Sequence, residues 1–127
     1  MATRQSFTAS QVLTAAEQNA LATAMIAINA QTGTTYTTVL ADDGKLLTCS
    51  NAASIAVTIP PNSSVAYGIG TQINIAQLGA GQVTITAGAG VTLNSAGAKL
   101  KLSAQYAVAT CVKTDTNTWF VVGNLSA

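Results

Sequence analysis

Residues 72–90 read QINIAQLGAGQVTITAGAG, and this stretch decides the fold class. Over residues 72–77 isoleucine alternates with amide side chains, and residues 82–87 repeat the alternation with valine, isoleucine and threonine. A period of two places successive side chains on opposite faces of a strand. The triplets Gly79-Ala80-Gly81 and Gly88-Ala89-Gly90 predict turns, because glycine is the main residue that breaks such runs. The stretch therefore predicts short strands joined by tight turns.

The same pattern extends from Tyr36 almost to the C-terminus. Turn residues recur there roughly every 8–12 residues, a spacing typical of all-β domains. The predicted strands are 36–40, 45–50, 54–59, 72–77, 82–87, 91–94, 99–102, 106–113 and 119–123. We therefore predict a mainly β fold: a compact antiparallel β-sandwich, barrel or prism-like domain in which the short strands form a meander.

A short α-helix is predicted in front of the strands. Thr14-Ala15-Ala16-Glu17 matches the capping box, in which a threonine hydroxyl and a glutamate carboxylate satisfy free backbone amides at a helix start. Apolar side chains then recur at helical spacing, at Leu21, Ala24, Met25 and Ile28. Gly33 is expected to end the helix. The chain accordingly divides into an N-terminal arm and helix, residues 1–32, and a β domain, residues 33–127.

The apolar stripe of this helix has two interpretations. A helix of about 16 residues is marginal alone in water and needs a partner surface. The stripe can pack on the chain's own β domain, which is the interpretation we favour, or it can join copies of the chain in a helical bundle. In the second case Leu21, Ala24, Met25 and Ile28 are the oligomerisation or anchoring residues.

Composition limits the function classes. The chain has 127 residues, enough for one domain, and only 7% are charged whereas 49% are hydrophobic. The five basic residues are scattered, so no nucleic-acid partner is indicated. No apolar run approaches the roughly 20 residues needed to span a bilayer, and no signal peptide is visible. So few charges leave a weakly soluble surface, which favours an oligomer.

The residues that usually carry catalysis are few. The sequence has no histidine, which removes the commonest general base and metal ligand. Asp42 and Asp43 adjoin in a turn, where neighbouring side chains diverge, and Asp115 lies in another turn. Cys49 and Cys111 are far apart and match no metal or redox spacing, so we interpret them as small buried hydrophobes. We therefore predict no enzyme, no cofactor and no metal.

One patch resembles a ligand site. An exposed aromatic beside amides is typical of glycan binding, and Trp119 lies close in sequence to Asn117 and Asn124. The alternative for Trp119 is packing in the core, and we favour that alternative.

Several motifs resemble a β module of tailed-phage virion proteins. They include Gly33-Thr34-Thr35-Tyr36, Val57-Thr58-Ile59-Pro60-Pro61-Asn62-Ser63-Ser64, Gly70-Thr71-Gln72-Ile73, Gln77-Leu78-Gly79-Ala80-Gly81-Gln82-Val83-Thr84 and Gly88-Ala89-Gly90-Val91-Thr92-Leu93-Asn94. The resemblance covers about three quarters of the chain. The opening from Phe7 to Glu17 is also similar to the openings of phage minor tail or fibre proteins.

This resemblance implies a non-enzymatic component of the virion surface, often trimeric. Because only a short helix precedes the β domain, it favours a capsid decoration or short head-fibre protein over a long tail fibre. The expected partners are further copies of the chain, as a homotrimer, and the major capsid or other virion proteins. The alternative is a tail-fibre or minor tail module that binds a host receptor or glycan. The chain is expected to be made in the host cytoplasm and displayed on the particle.

Overall fold

The computed structural model describes residues 27–127, which form a mainly β fold with two mixed sheets. The strands are β1 Ile28–Gln31, β2 Thr35–Thr37, β3 Leu46–Cys49, β4 Ile55–Ile59, β5 Gln72–Gln77, β6 Val83–Ala87, β7 Thr92–Ser95, β8 Lys101–Leu102, β9 Val108–Asp115, β10 Thr118–Gly123 and β11 Leu125–Ser126. Two 3-10 turns, Leu40–Asp42 and Ala96–Ala98, complete the regular structure of this part of the chain. The six-stranded sheet has the order β1-β3-β5-β9-β10-β7, and the five-stranded sheet has the order β11-β8-β6-β4-β2.

The first six strands alternate between the two sheets. β1, β3 and β5 are parallel neighbours in the six-stranded sheet, and β2, β4 and β6 are parallel neighbours in the five-stranded sheet. The chain therefore winds through three successive coils, β1–β2, β3–β4 and β5–β6, and each coil adds one strand to each sheet. Leu46 pairs with Asn74 and Ile55 pairs with Val83, so both sheets advance by 28 residues between the second coil and the third.

The prediction of a mainly β fold is confirmed, but the prediction of an antiparallel meander is wrong for the coiled half of the domain. Gly79-Ala80-Gly81 does not close a hairpin, because it connects β5 in one sheet to β6 in the other. Antiparallel pairing joins β5 to β9, β9 to β10, β6 to β8 and β8 to β11. Alternation along a strand fixes which side chains share a face, and it leaves the partner strand undetermined.

The glycines between β5 and β6 allow the turns of neighbouring coils to stack closely. A Cβ atom at Gly79 would lie 2.6 Å from the carbonyl oxygen of Asn51, and one at Gly81 would overlap the carbonyl of Ala53. The same holds for Gly88, which follows β6: a Cβ atom there would lie 2.7 Å from the carbonyl oxygen of Ile59. The main chain approaches itself where no side chain fits, which is a common reason for glycine beside a strand.

One hydrophobic core contains the inward side chains of both sheets. Leu47 and Ile75 from the six-stranded sheet and Val57 and Ile85 from the five-stranded sheet are almost fully buried in it. Burial of side chains of this size contributes about 1.5–3 kcal/mol each relative to exposure. Trp119 of β10 is the largest of the fully buried side chains in residues 27–127.

The N-terminal prediction is wrong where the described residues begin. Ile28–Gln31 forms β1, which pairs in parallel with β3, so a helix that continues to Gly33 is excluded. Leu21, Ala24 and Met25, with the rest of the predicted helix, lie outside the described residues. Backbone pairing with β3 outweighs the weak helical preference of so short a segment. The six-stranded sheet therefore includes residues that the sequence assigned to the N-terminal arm.

Replacement of Gly81 by alanine tests the stacking of the turns. The new methyl group would meet the backbone of Ala53, which cannot rotate away, so the turn has to shift. We expect Gly81→Ala to lower the free energy of unfolding by about 1–3 kcal/mol, as overpacking does elsewhere. Urea denaturation followed by the fluorescence of Trp119 measures the change.

Gly68→Ala is the matched control, because a Cβ atom there meets no described heavy atom within 4 Å. We expect it to leave the stability unchanged or to raise it by about 0.4–1 kcal/mol through a smaller unfolded-state entropy. Equal unfolding midpoints for the two variants would contradict the stacking argument.

Candidate functional site

The clearest cluster of polar side chains surrounds Asp42, at the end of the first coil. Asp42 is 1% exposed, and its carboxylate accepts three hydrogen bonds. The Tyr36 hydroxyl donates to Oδ2 at 2.7 Å, the Asn29 amide donates to Oδ1 at 2.8 Å, and the backbone N–H of Val39 donates to Oδ2 at 2.9 Å. These donors compensate for the loss of hydration of the carboxylate. Asp42 thus ties β1 and β2 to the 3-10 turn.

A second polar cluster forms around Tyr67 in the segment between β4 and β5. The Tyr67 hydroxyl donates to the carbonyl of Val39 at 2.7 Å and lies 2.9 Å from the Thr38 hydroxyl. The Lys113 ammonium, 2% exposed, donates to the Tyr67 carbonyl at 2.7 Å and to the Asn62 side-chain oxygen at 2.8 Å. The long segment between β4 and β5 is therefore fixed to both sheets. Sequence reasoning missed this role of Lys113, although a lysine at an inward position of a strand was a signal for it.

The acid–base properties of these groups follow from their burial. Burial, followed by the hydrogen bond with Asp42, raises the pKa of Tyr36 to about 12. Burial also raises the pKa of Tyr67 to about 12. Both phenols stay neutral at physiological pH, and they can donate their protons only as hydrogen bonds. The arrangement supports structural hydrogen bonding.

The cysteines agree with their interpretation as buried hydrophobes. Cys49 and Cys111 are free thiols and are fully buried on the inner side of the six-stranded sheet. Burial raises the pKa of the Cys49 thiol to about 11 and that of the Cys111 thiol to about 12. A thiol that ionises so late is a poor nucleophile at neutral pH.

The ligand patch predicted from the sequence is not brought together at one surface. Trp119 is 1% exposed, and its ring meets Tyr67 edge to face with centroids 5.4 Å apart. Asn117 lies in the turn before β10, where its side-chain oxygen accepts the backbone N–H of Asn62, whereas Asn124 lies beyond the other end of β10. Trp119 therefore has no free face for a sugar ring, and packing in the core is its role.

The outward side of the five-stranded sheet is rich in threonine. Parallel register places Thr35 beside Ala56 and Ala56 beside Thr84, and a second row runs through Thr37, Thr58 and Thr86. Threonine suits this position because its branched Cβ favours strands and its hydroxyl remains hydrated. This threonine face gives the domain one polar outer surface.

The outward side of the six-stranded sheet is apolar and is the main candidate for an interaction surface. Phe120 is 50% exposed, and Val122 and Val108 are also exposed on this side. β10 reads Thr-Trp-Phe-Val-Val-Gly, so both its inward and outward positions are apolar. A strand that is apolar on both faces is typical of burial on both faces. That signal was present in the sequence and could have identified this surface.

A surface depression of about 280 Å³ adjoins the apolar side. Phe120, Val122 and Leu125 contribute to its lining, with Lys99 as the charged member. The polar groups that orient a small molecule are sparse here, since most of the lining is aliphatic or backbone. The depression is therefore better explained as a continuation of the apolar surface.

Comparison with protein families, with curated proteins and with solved structures finds no match. Among residues 27–127, no group of three or more histidine, cysteine or acidic side chains is placed to hold a metal ion. No helix in the same range is long and apolar enough to cross a membrane.

Replacement of Asp42 tests the first polar cluster. In Asp42→Asn one oxygen becomes an NH2 group that faces the donors of Tyr36 or Asn29, so at least one buried donor loses its acceptor. We expect the free energy of unfolding to fall by about 2–3 kcal/mol. Asp115→Asn is the control, because Asp115 is exposed, and its effect should stay within about 0.5 kcal/mol. A similar loss in both variants would show that the buried network is not the cause.

The raised pKa values of the thiols predict instability in alkali. The neutral thiol is favoured in the folded chain, so its contribution is complete below the unfolded pKa of about 9 and is lost as the pH rises toward 12. Stability should therefore fall above about pH 9. The Cys111→Ala variant lacks one titrating thiol. The difference in free energy of unfolding between the natural chain and this variant should therefore shrink between pH 7 and pH 10.5. Urea unfolding across this range measures that difference, and a constant value would contradict the prediction.

Proposed function

We propose that this chain is a non-enzymatic structural protein of a tailed-phage virion, either a capsid decoration or a short head-fibre protein. The observation that carries the proposal is the use of its chemically versatile groups. Asp42, Lys113 and both thiols are buried and serve the interior, while the outer surfaces present threonine on one sheet and apolar side chains on the other. The proposed role is that of a rigid surface module.

The coiled architecture supports a displayed module. Successive coils bury each other's backbone, and the antiparallel strands β8 and β9 cover the third coil in both sheets. Stacked repeats of this kind form stiff units whose stability comes from contacts between neighbours. Stiffness of this kind suits a protein held outside a particle. The sequence resemblance to virion modules points in the same direction.

Attachment and assembly are assigned to different parts of the chain in this proposal. The N-terminal segment, residues 1–26, precedes the edge strand β1, and we assign it to attachment to the major capsid or another virion protein. The β domain faces outward, and three copies form a homotrimer. Neither part involves nucleic acid or membrane insertion.

A tail-fibre or minor tail module that binds a host receptor or glycan is the second candidate. Tyr106 favours it, because this side chain is 72% exposed in the loop before β9 and follows the exposed Gln105. An exposed aromatic beside an amide is the combination that sugar binding uses. Tyr106 replaces Trp119 as the aromatic of that hypothesis.

Purified particles test both candidates. We expect mass spectrometry of gradient-purified virions of the encoding phage to detect the protein, and immunogold labelling to place it on the capsid. Labelling confined to the tail would favour the receptor-binding candidate, and a Tyr106→Ala variant with reduced adsorption to host cells would support it. Absence of the protein from virions would refute both candidates.

A further inference from the structure

The outward side of the six-stranded sheet forms a surface whose strand residues carry no charge, which we name the apolar face. Lys99 lies beside it, in the depression lined by Phe120 and Val122. Its first row is Ile28, Leu46, Asn74, Thr110 and Val122; its second row is Ala30, Thr48, Ala76 and Val108; its third row is Gln72, Val112, Phe120 and Asn94. None of these outward residues of the described strands is acidic or basic. The polar members are amides or threonines, and apolar members occur on every strand of the sheet except β7. Thr48 and Ala76 in the second row are themselves buried.

The exposure of this face is unusual for a surface that stays in water. Ile28 is 58% exposed, Phe120 50%, Val122 44% and Val108 42%. Exposed apolar residues that share one surface mark an interaction site more often than scattered ones do. The threonine face of the other sheet shows that the same chain can build a hydrated outer surface. This difference between the two faces indicates that a partner covers the apolar face.

One polar contact of the apolar face is made within the face itself. The Thr110 hydroxyl donates to the Asn74 side-chain oxygen at 2.8 Å. This hydrogen bond stays in place when apolar groups cover the surface. A charged partner surface would bury its charges over strand residues that offer no counter-charge, which is costly. The absence of charge therefore favours a partner surface that is itself uncharged.

We propose that the apolar face packs against the apolar face of further copies of this chain. The strand residues of two such faces meet without like-charge contacts, and apolar residues on each side bury one another, as in the cores of homo-oligomer interfaces. This inference rests on the homotrimer in the proposed function and deepens it by naming the face that joins the copies.

A single engineered thiol identifies what covers the face. Both natural cysteines are fully buried, so Val122→Cys in the full chain supplies one accessible thiol on the apolar face. If copies of the chain cover it, maleimide labelling should slow by about tenfold as the protein concentration rises through the association range, because association follows mass action. Thr86→Cys on the threonine face is the control and should react at the same rate at every concentration.

The other outcomes of the labelling overturn the proposal. Protection that is independent of concentration and persists in the monomer would show that residues 1–26 of the same chain cover the face. Rapid labelling at all concentrations would show that the face is open. Both results concern the purified protein, so they differ from the virion experiment, in which the proposed function can fail while self-association holds.

A second variant keeps the test independent of the thiol. Phe120→Asn places an amide on the apolar face, and light scattering should then show a shift from oligomer toward monomer. Ile69→Asn is the control, because Ile69 is 65% exposed outside this sheet, and it should keep the mass of the natural chain. Circular dichroism confirms that both variants fold. An unchanged mass for folded Phe120→Asn would overturn the proposal.

Discussion

The close stacking of main-chain turns is the constraint on which the rest of the structure depends. Gly79 and Gly81 lie directly against the backbone of Asn51 and Ala53 in the preceding coil. The turn hydrogen bond from the Gly81 N–H to the Asn51 carbonyl, at 2.8 Å, fixes this approach. Because the turns cannot slide past each other, β5 must follow β3 and β6 must follow β4 with one common offset. The parallel register of both sheets is thereby set at the turn.

A stack of coils ends where no further coil follows, and polar side chains and antiparallel strands complete the structure at these ends. At the first coil, Asp42 binds the backbone of Val39 together with side chains from β1 and β2. At the third coil, the antiparallel strand β9 pairs with β5 and the antiparallel strand β8 pairs with β6. Lys113 then anchors the segment between β4 and β5 through a carbonyl and an amide. Within residues 27–127, the buried charged side chains Asp42 and Lys113 therefore lie where the regular stacking ends.

How far the sequence predicts this fold depends on the range of the interaction. The alternation in residues 72–77 and 82–87 is local, so the strands and their inward side chains were predictable. The partner of each strand was not, because residues 28 positions apart match only in part. Val57 lies beside Ile85 and Thr58 beside Thr86, whereas Leu46 lies beside Asn74 and Cys49 beside Gln77. Ile28 illustrates the same limit of sequence-based prediction. Its helical spacing from Met25 is visible within a short stretch of sequence, whereas its pairing with Leu46 joins residues that are distant in sequence. Of the proposed site, Trp119 was placed correctly in the core, and the exposure of its neighbour Phe120 follows from the period of two.

The two outer surfaces explain how so weakly charged a chain can be organised. On the five-stranded sheet, threonine at Thr37, Thr58 and Thr86 combines a strand-forming Cβ with a hydroxyl that water can bind. On the six-stranded sheet, Phe120 and Val122 also favour the strand conformation, but they have no hydroxyl that water can bind. The hydrated face needs no partner, whereas the apolar face is the surface that the proposed self-association covers. In that proposed assembly, a chain with 7% charged residues turns its threonine outward.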